Sequence, residues 1–184
     1  MKWNIAAAPA HDFIVKNPDL DPVLLSLLWN RGIKEDISEF LECDFEKHSH
    51  DPFLFKQMQA AVDLIIRHIK EQNLICVYGD YDADGVSSSA LVVELLRTLK
   101  TRVDVYIPHR FKEGYGLNRE AIDRIVSMGA KLIITVDGGI RSLSEVDYAK
   151  ELGLDLVLTD HHTTSLKKDG SDDLPDCIIV NPAV

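Results

Sequence analysis

The spacing of hydrophobic and polar positions predicts a short helical region at the start of the chain. Asp21-Pro22 opens a helix that Gly32 ends. Its apolar residues are expected to share one face: Val23, Leu24, Leu27 and Leu28. A shorter helical pattern follows, at Ile33, Ile37, Phe40 and Leu41. The polar stretch 48–52 interrupts this pattern, so we predict a helical region over 1–52 and a second domain over 53–184.

The second domain contains four segments with helical spacing: 54–70, 87–100, 118–129 and 142–153. Asn118 is expected to cap the third of these helices, and Ser142 with Glu145 forms a capping-box pattern at the fourth. In the second helix, four leucines are predicted to form one apolar stripe: Leu91, Leu95, Leu96 and Leu99.

Short continuous apolar runs separate these helices and have the length of strands covered on both faces. They are 74–78, 103–107, 132–136, 156–158 and 177–180. Strands that alternate with helices imply right-handed crossovers, so we predict an α/β fold with a parallel, doubly wound sheet of about five strands and flanking helices. The polar stretch 166–176 is predicted to be an exposed loop.

Polar clusters follow four of the predicted strands, directly after each strand ends. They are Asp80, Asp82 and Asp84 after the first; His109 and Arg110 after the second; Asp137 after the third; and Asp160, His161 and His162 after the fourth. Open α/β sheets bind ligands outside the carboxyl ends of their strands. We therefore expect these clusters to share one crevice.

Carboxylates gathered in one crevice repel one another unless cations neutralise them. Oxygen ligands with one or two imidazoles suit Mn²⁺ or Mg²⁺ better than a closed zinc site. The chain carries 30 acidic and 20 basic residues, for a formal net charge of −10. This balance argues against a broad basic surface for nucleic acid and is compatible with a site that recruits cations.

Other metal and nucleotide motifs fit the sequence less well. Asp80, Asp82, Asp84 and Gly85 match the start of an EF-hand calcium loop, but its twelfth position is Leu91 where the motif needs glutamate. Cys43, His48 and His50 do not have the spacing of a zinc finger. The sequence also lacks a Gly-x-x-x-x-Gly-Lys phosphate loop and a Gly-x-Ser-x-Gly elbow.

Five motifs, in this order, resemble those of the DHH phosphoesterase superfamily, and within it the RecJ branch of single-strand-specific exonucleases. They are VYGDYDADGVSSSAL, IPHRFKEGYGLN, LIITVDGGI, LTDHH and IIVNP. The leader is similar too, with WNRGI near Arg31 and HDPFLF near Pro52. The resemblance implies a site with two Mn²⁺ or Mg²⁺ ions that hydrolyses phosphodiester bonds.

The resemblance also implies roles for individual residues. Asp82 and Asp84 would each bind one metal, Asp137 would bridge both, and His161 would bind the second. Asp80 would be a ligand or a support of the ligands, and the two possibilities stay open. Tyr78 occupies a position where some family members have histidine.

Further residues are implied to contact or position the substrate. His162 would face the substrate phosphate, and Asp160 would orient the histidines. His109 and Arg110 are candidates for holding a phosphate oxygen, since arginine can donate two parallel hydrogen bonds. Tyr115 is a candidate for stacking on a base. The catalytic set implied by the resemblance is Asp82, Asp84, Asp137, His161 and His162.

We therefore expect part of the catalytic domain of a 5′-to-3′ single-stranded DNA exonuclease of DNA repair and recombination, C-terminally incomplete and weakly active or inactive alone. The alternatives are a DHH hydrolase of oligonucleotides, cyclic dinucleotides or pyrophosphate, and a non-catalytic DHH scaffold. Three scattered cysteines, with no signal-peptide or membrane-span pattern, predict a cytoplasmic protein with no membrane partner.

Overall fold

The computed structural model describes residues 2, 4–42 and 44–184, and its contacts divide the chain into two units, 1–50 and 51–184. The described residues of the first unit form four short helices: α1 (His11–Lys16), α2 (Pro22–Asn30), α3 (Ile37–Leu41) and α4 (Phe45–His48). Its small core consists of Phe13, Leu25, Leu28 and Ile37. None of the helices described in either unit is both long and apolar enough to cross a membrane.

Helix α2 begins where the sequence predicts, but its buried face was predicted wrongly. The Asp21 carboxylate accepts a hydrogen bond from the backbone N–H of Val23 at 2.8 Å, which caps the helix. Leu25 and Leu28 are buried, whereas Val23 and Leu27 are exposed. Most positions of this helix are apolar, so the spacing could not select the face that packs against Phe13.

The second unit alternates helices and strands after a 3₁₀ turn at Pro52–Leu54. Its elements are α5 (Met58–Lys70), β1 (Leu74–Tyr78), α6 (Ala83–Thr98), β2 (Val103–Tyr106), α7 (Arg119–Ser127), β3 (Ala130–Val136), α8 (Leu143–Glu151), β4 (Asp155–Thr159), β5 (Ser165–Leu166), β6 (Asp172–Asp173) and β7 (Ile178–Val180).

The main sheet has five parallel strands in the order β2-β1-β3-β4-β7. The predicted doubly wound α/β fold is therefore confirmed. The chain moves outward from β1 to β2 and then returns to β3 on the other side of β1. The strand order thus reverses between β1 and β3, and such a reversal opens a crevice at the carboxyl ends of the two strands.

Both faces of this sheet are covered by helices. One face packs α5 and α6 over side chains such as Ile75, Val77 and Ile134. The other packs α7 and α8 over Cys76 and Ile133. Alternate residues of the same strand thus enter different cores, and burial on both faces explains why the strands read as continuous apolar runs.

The predicted leucine stripe of α6 is wrong. Leu96 is buried, but the other three leucines are exposed: Leu91, Leu95 and Leu99. The helix begins at Ala83, earlier than predicted, and buries Gly85, Ser89, Val93 and Leu96 instead. Small residues in the first two turns bring the helix close to the chain that leaves β1, and this close approach fixes which face is buried.

Of three further local predictions, one is confirmed and two differ from the structure. Asn118 caps α7 as expected, since its side chain accepts from the Ala121 N–H at 2.8 Å. Ser142 precedes α8, but its side chain makes no capping bond and Glu145 accepts from Ser144 instead, so the capping box is wrong. The stretch 166–176 is not entirely a loop, because β5, which ends at Leu166, pairs with β6 as a short antiparallel hairpin.

Candidate active site

The loop after β1 brings acidic residues to the crevice between β1 and β3. Asp82 caps α6, and its carboxylate accepts the backbone N–H groups of Asp84 and Gly85, both at 3.0 Å. These hydrogen bonds, that of Gly85 first, hold the pKa of Asp82 below its usual value. Asp82 is therefore a fixed, ionised carboxylate.

Two glycines allow α6 to approach this loop. A Cβ on Gly85 would lie 2.5 Å from the backbone oxygen of Asp80. A Cβ on Gly79 would lie 2.0 Å from the hydroxyl oxygen of Ser89, which itself donates to the Gly85 carbonyl at 2.7 Å. The glycines of the GDYDADG motif thus allow α6 and the loop after β1 to pack more closely than any larger residue at these positions would permit.

Asp137 follows β3 and faces the same crevice. Its backbone has φ of +60°, a left-handed conformation that is uncommon outside glycine. One of its carboxylate oxygens lies 3.0 Å from His161 Nε2. Burial, followed by the nearby charge of Asp82, raises the pKa of Asp137. The site therefore destabilises the ionised form of this carboxylate.

The carboxylates of Asp80, Asp82 and Asp137 meet within 4.8 Å of one another. Asp80 is buried, and among the described residues no donor reaches its Oδ1. A buried carboxylate oxygen without a partner is costly, and a divalent cation bound by all three groups would satisfy it. A second group, Asp137 with His161 and His162, also has ligand atoms within 4.8 Å. This oxygen-rich donor set fits Mn²⁺ or Mg²⁺.

Asp160 holds the two histidines and the turn after β3 together. Its carboxylate accepts the backbone N–H of Ile140 at 3.0 Å, that of His161 at 2.7 Å and that of His162 at 3.0 Å. It also lies 2.7 Å from His162 Nδ1. Burial opposes its charge, but these bonds, from His162 first, prevail and hold the pKa of Asp160 below its usual value.

We expect Asp160→Asn to lower the free energy of unfolding by about 2 kcal/mol at neutral pH, because charge-assisted bonds to buried N–H groups are lost. A lowered folded pKa stabilises the fold above the unfolded pKa of about 3.9, and this contribution is lost as the pH falls through the folded value. Urea denaturation of both proteins should thus give a constant difference from mildly alkaline to mildly acidic pH. The difference should shrink only below about pH 4, and one that already vanished near neutrality would contradict this account of Asp160.

Tyr78 lies outside the cluster of carboxylates and supports a neighbouring loop. Its hydroxyl donates to the Gly116 carbonyl at 2.8 Å, and Asn118 Nδ2 donates to the same hydroxyl at 3.3 Å. Its ring is buried and stacks on that of Tyr106 at 5.5 Å. The hydroxyl at this position therefore anchors the segment that carries Tyr115.

Tyr115 places its hydroxyl beside the histidines. The Tyr115 oxygen is 3.4 Å from His162 Nδ1 and 3.5 Å from Nε2, and the two rings meet edge to face. Burial, followed by the surrounding carboxylates, raises the pKa of Tyr115 to about 12. The phenol therefore stays protonated near neutral pH.

Three residues predicted for the site lie at its margin. Asp84 lines an open groove of about 580 Å³ together with Asp137 and His161. The Arg110 guanidinium lies 4.9 Å from the centre of the Tyr81 ring. His109 Nδ1 accepts the backbone N–H of Phe111 at 3.2 Å. The metal role of Asp84 and the phosphate roles of His109 and Arg110 stay predictions.

Two supporting residues were missed by the sequence interpretation. Asn181, in the IIVNP motif, is buried and donates to the His162 carbonyl at 3.0 Å. Arg141 donates to the backbone and side-chain oxygens of Thr163, at 3.0 and 2.8 Å. An asparagine directly after a buried strand was the available signal for the first, whereas nothing in the sequence pairs Arg141 with Thr163.

The zinc alternative gains no support from the described residues. His48 and His50 are exposed, and Cys43 lies outside the described residues. Both metal-capable groups found among the described residues belong to the second unit.

Comparison of the amino-acid sequence with those of known proteins identifies relatives of this chain. The chain is 44% identical to the single-stranded-DNA-specific exonuclease RecJ of Bacillus subtilis over 88% of its own length, and 36% identical to that of Escherichia coli over 78%. It spans only 21% and 25% of the lengths of these two relatives.

Solved structures that resemble this chain are also those of RecJ proteins. A crystal structure of exonuclease RecJ bound to manganese matches with a TM-score of 0.65 and 32% identity, over 74% of this chain and 34% of the other. RecJ of Thermus thermophilus in complex with Mn²⁺ matches with a TM-score of 0.62 and 25% identity, over 94% of this chain and 23% of the other.

Residues 74–182, more than half of the chain, match the family described as the DHH family, N-terminal domain. The chain therefore belongs to the DHH family.

Proposed function

We propose that residues 51–184 carry the metal-dependent phosphodiesterase site of a single-stranded-DNA-specific exonuclease. The observation that carries this proposal is the convergence of Asp80, Asp82 and Asp137 within 4.8 Å at the reversal of the strand order. The partnerless Oδ1 of buried Asp80 supports a cation at this point. The single-stranded DNA substrate is proposed from the printed names of the relatives.

The proposed metal ligands fall into two overlapping groups. Asp80, Asp82 and Asp137 would hold one ion, and Asp137 with His161 would contribute to a second, for which Asp84 is a further candidate ligand. When bound, such ions lower the pKa of a coordinated water and stabilise charge on a phosphoryl group. Asp137 belongs to both groups, so it is the proposed bridging carboxylate.

The protein's own residues would orient the substrate next to these ions. His162 is held at its Nδ1 by Asp160 and at its backbone carbonyl by Asn181. Its Nε2 is thereby left to donate to a phosphate oxygen when the imidazole is protonated, which is the role we propose. The −10 net charge supplies no broad attraction for DNA, so recognition would depend on the bound cations and on local donors.

The proposed function predicts Mn²⁺ binding and hydrolysis that is weak in this chain alone and requires both Mn²⁺ and a single strand. Mn²⁺ binding would be measured by calorimetry, and nucleotide release would be followed from single strands labelled at the 5′ or the 3′ end and from a matched duplex. Release of the 5′ label first, from single strands only, would support a 5′-to-3′ exonuclease. Preference for dinucleotides, cyclic dinucleotides or pyrophosphate would refute the exonuclease assignment, and failure to bind Mn²⁺ would refute the metal site.

A further inference from the structure

The hydroxyl of Tyr115 is next to the proposed phosphate site but has no well-made hydrogen bond there. It is nearly equidistant from the two ring nitrogens of His162, at 3.4 and 3.5 Å, which are long distances for a hydrogen bond. His162 already directs its Nδ1 to Asp160 at 2.7 Å. Because Nδ1 is occupied and Nε2 is 3.5 Å away, the phenolic hydrogen makes no close bond to this ring and is available to another acceptor.

The loop around Tyr115 is built to hold this hydroxyl in place. Gly114 and Gly116 flank the tyrosine with φ of +80° and +82°, conformations that favour glycine. The Gly116 carbonyl is fixed by the buried Tyr78 hydroxyl at 2.8 Å. The Tyr115 oxygen lies close to Gly138, at 3.7 Å from the point that a Cβ there would occupy. Tyr78 of β1 and the turn after Asp137 thus both restrict the positions that the Tyr115 hydroxyl can occupy.

The site is rich in negative charge, so an uncharged hydrogen-bond donor at this position would help to bind an anionic substrate. Asp80, Asp82 and Asp137 are hydrogen-bond acceptors when ionised, and a phosphodiester adds another anion. The nearby guanidinium of Arg141 is engaged by Thr163, and that of Arg110 lies over Tyr81. A phosphate oxygen next to His162 would therefore meet the Tyr115 hydroxyl as its neighbouring side-chain donor.

We propose that Tyr115 is a catalytic residue whose hydroxyl donates a hydrogen bond to a non-bridging oxygen of the scissile phosphodiester, beside His162. The inference rests on the proposed function and adds a substrate contact to it. It replaces the interpretation of Tyr115 as a base-stacking residue, because the hydroxyl, and not only the ring, is directed at the site. Tyr115 also lines a cavity of about 430 Å³ with Asp160 and His162, which leaves space for a ligand beside the hydroxyl.

Tyr115→Phe tests this contact because it keeps the ring and removes only the hydroxyl. With Mn²⁺-loaded protein and a 5′-phosphorylated oligothymidylate, we expect kcat to fall about 100-fold, as for loss of one donor to a developing oxyanion. The Mn²⁺ affinity from calorimetry should stay near the wild-type value, and KM should rise several-fold because the bound substrate already accepts this hydrogen bond. Binding of a phosphorothioate-linked dithymidylate, a probe that is hydrolysed slowly, should weaken several-fold without any turnover.

The phosphorothioate also separates a contact from a structural effect. In one of its two stereoisomers, sulfur, a weak acceptor, replaces the oxygen that Tyr115 contacts. For that isomer the difference between wild type and Tyr115→Phe should largely disappear, whereas it should persist for the other isomer. A misfolded loop would affect both isomers equally and would overturn the proposal.

Tyr148→Phe is the matched control, since the Tyr148 hydroxyl donates to Asp123 at 2.7 Å on an exposed surface. It should behave as wild type. If wild type binds Mn²⁺ and cleaves the oligothymidylate while Tyr115→Phe equals it, the inference about Tyr115 alone fails. A raised KM with unchanged kcat in Tyr115→Leu, and no effect in Tyr115→Phe, would instead support the interpretation that Tyr115 stacks on a base. If wild type neither binds Mn²⁺ nor cleaves, the proposed function fails and this inference with it.

Discussion

Asp137→Asn is expected to weaken Mn²⁺ binding at least about 100-fold, the upper end of the effect of removing a residue that merely supports a ligand. Asp137 is the carboxylate shared by both metal-capable groups, so its neutralisation affects both. Asparagine has nearly the same size, and it keeps one oxygen that can accept from His161 Nε2. The loss would therefore reflect charge and ligand strength, not a cavity.

The same substitution should not destabilise the metal-free protein. The pKa of Asp137 is raised by burial and by the charge of Asp82, so its ionised form disfavours the fold at neutral pH in the absence of cations. We expect the metal-free variant to unfold at an equal or higher urea concentration than wild type. Weaker metal binding together with unreduced stability distinguishes a lost ligand from a damaged fold.

Calorimetric Mn²⁺ titration, with urea denaturation in a chelator, measures both quantities on the same samples. Asp147→Asn is a matched control, because Asp147 is an exposed carboxylate on α8 outside both metal-capable groups. It should bind Mn²⁺ as wild type does. Equal affinities for wild type and Asp137→Asn would show that Asp137 is not a bridging ligand.

The convergence of these residues could be predicted from the sequence because it follows from chain topology. Each polar cluster comes directly after a continuous apolar run, and parallel strands end at the same edge of a sheet. Asp82, Asp137 and His161, far apart in the sequence, are therefore brought together once the runs are recognised as strands. The structure adds that β1 and β3 flank the reversal of strand order, which the sequence interpretation did not identify.

Positions that depend on packing between elements could not be predicted in the same way. In α6, the leucine stripe fits helical spacing as well as the buried face does, and the close approach of Gly85 and Ser89 decides between them. The direction of the Tyr115 hydroxyl depends on a bond between Tyr78 and Gly116, which are 38 residues apart. Such a bond leaves no periodic signal in the sequence.

The contact between α6 and the loop after β1 connects the stability of the fold to the geometry of the site. Gly85→Ala would push a Cβ to 2.5 Å from the Asp80 backbone oxygen, which cannot rotate away. We expect a loss of about 3 kcal/mol in the free energy of unfolding, at the upper end of the usual cost of overpacking. Because the Asp80 backbone must move to relieve the contact, Mn²⁺ affinity should fall as well.

Gly79→Ala offers a sharper test, because its main obstacle is a removable side-chain atom. Its Cβ would lie 2.0 Å from the Ser89 hydroxyl oxygen, but 3.0 Å from the Gly85 backbone oxygen and 3.3 Å from the Ser89 Cβ. Ser89→Ala alone should cost about 1 kcal/mol through the lost bond to the Gly85 carbonyl. It should nevertheless recover much of the stability that Gly79→Ala loses, so the double variant costs less than the sum of the single ones.

Ser89→Ala should not rescue Gly85→Ala, whose obstacle is backbone. Urea denaturation and Mn²⁺ calorimetry of the three single and two double variants therefore separate the two contacts. Rescue of Gly79→Ala with recovery of Mn²⁺ affinity would show that the spacing between α6 and the loop sets the position of the acidic ligands. Rescue of both glycine variants, or of neither, would contradict the geometry described for this contact.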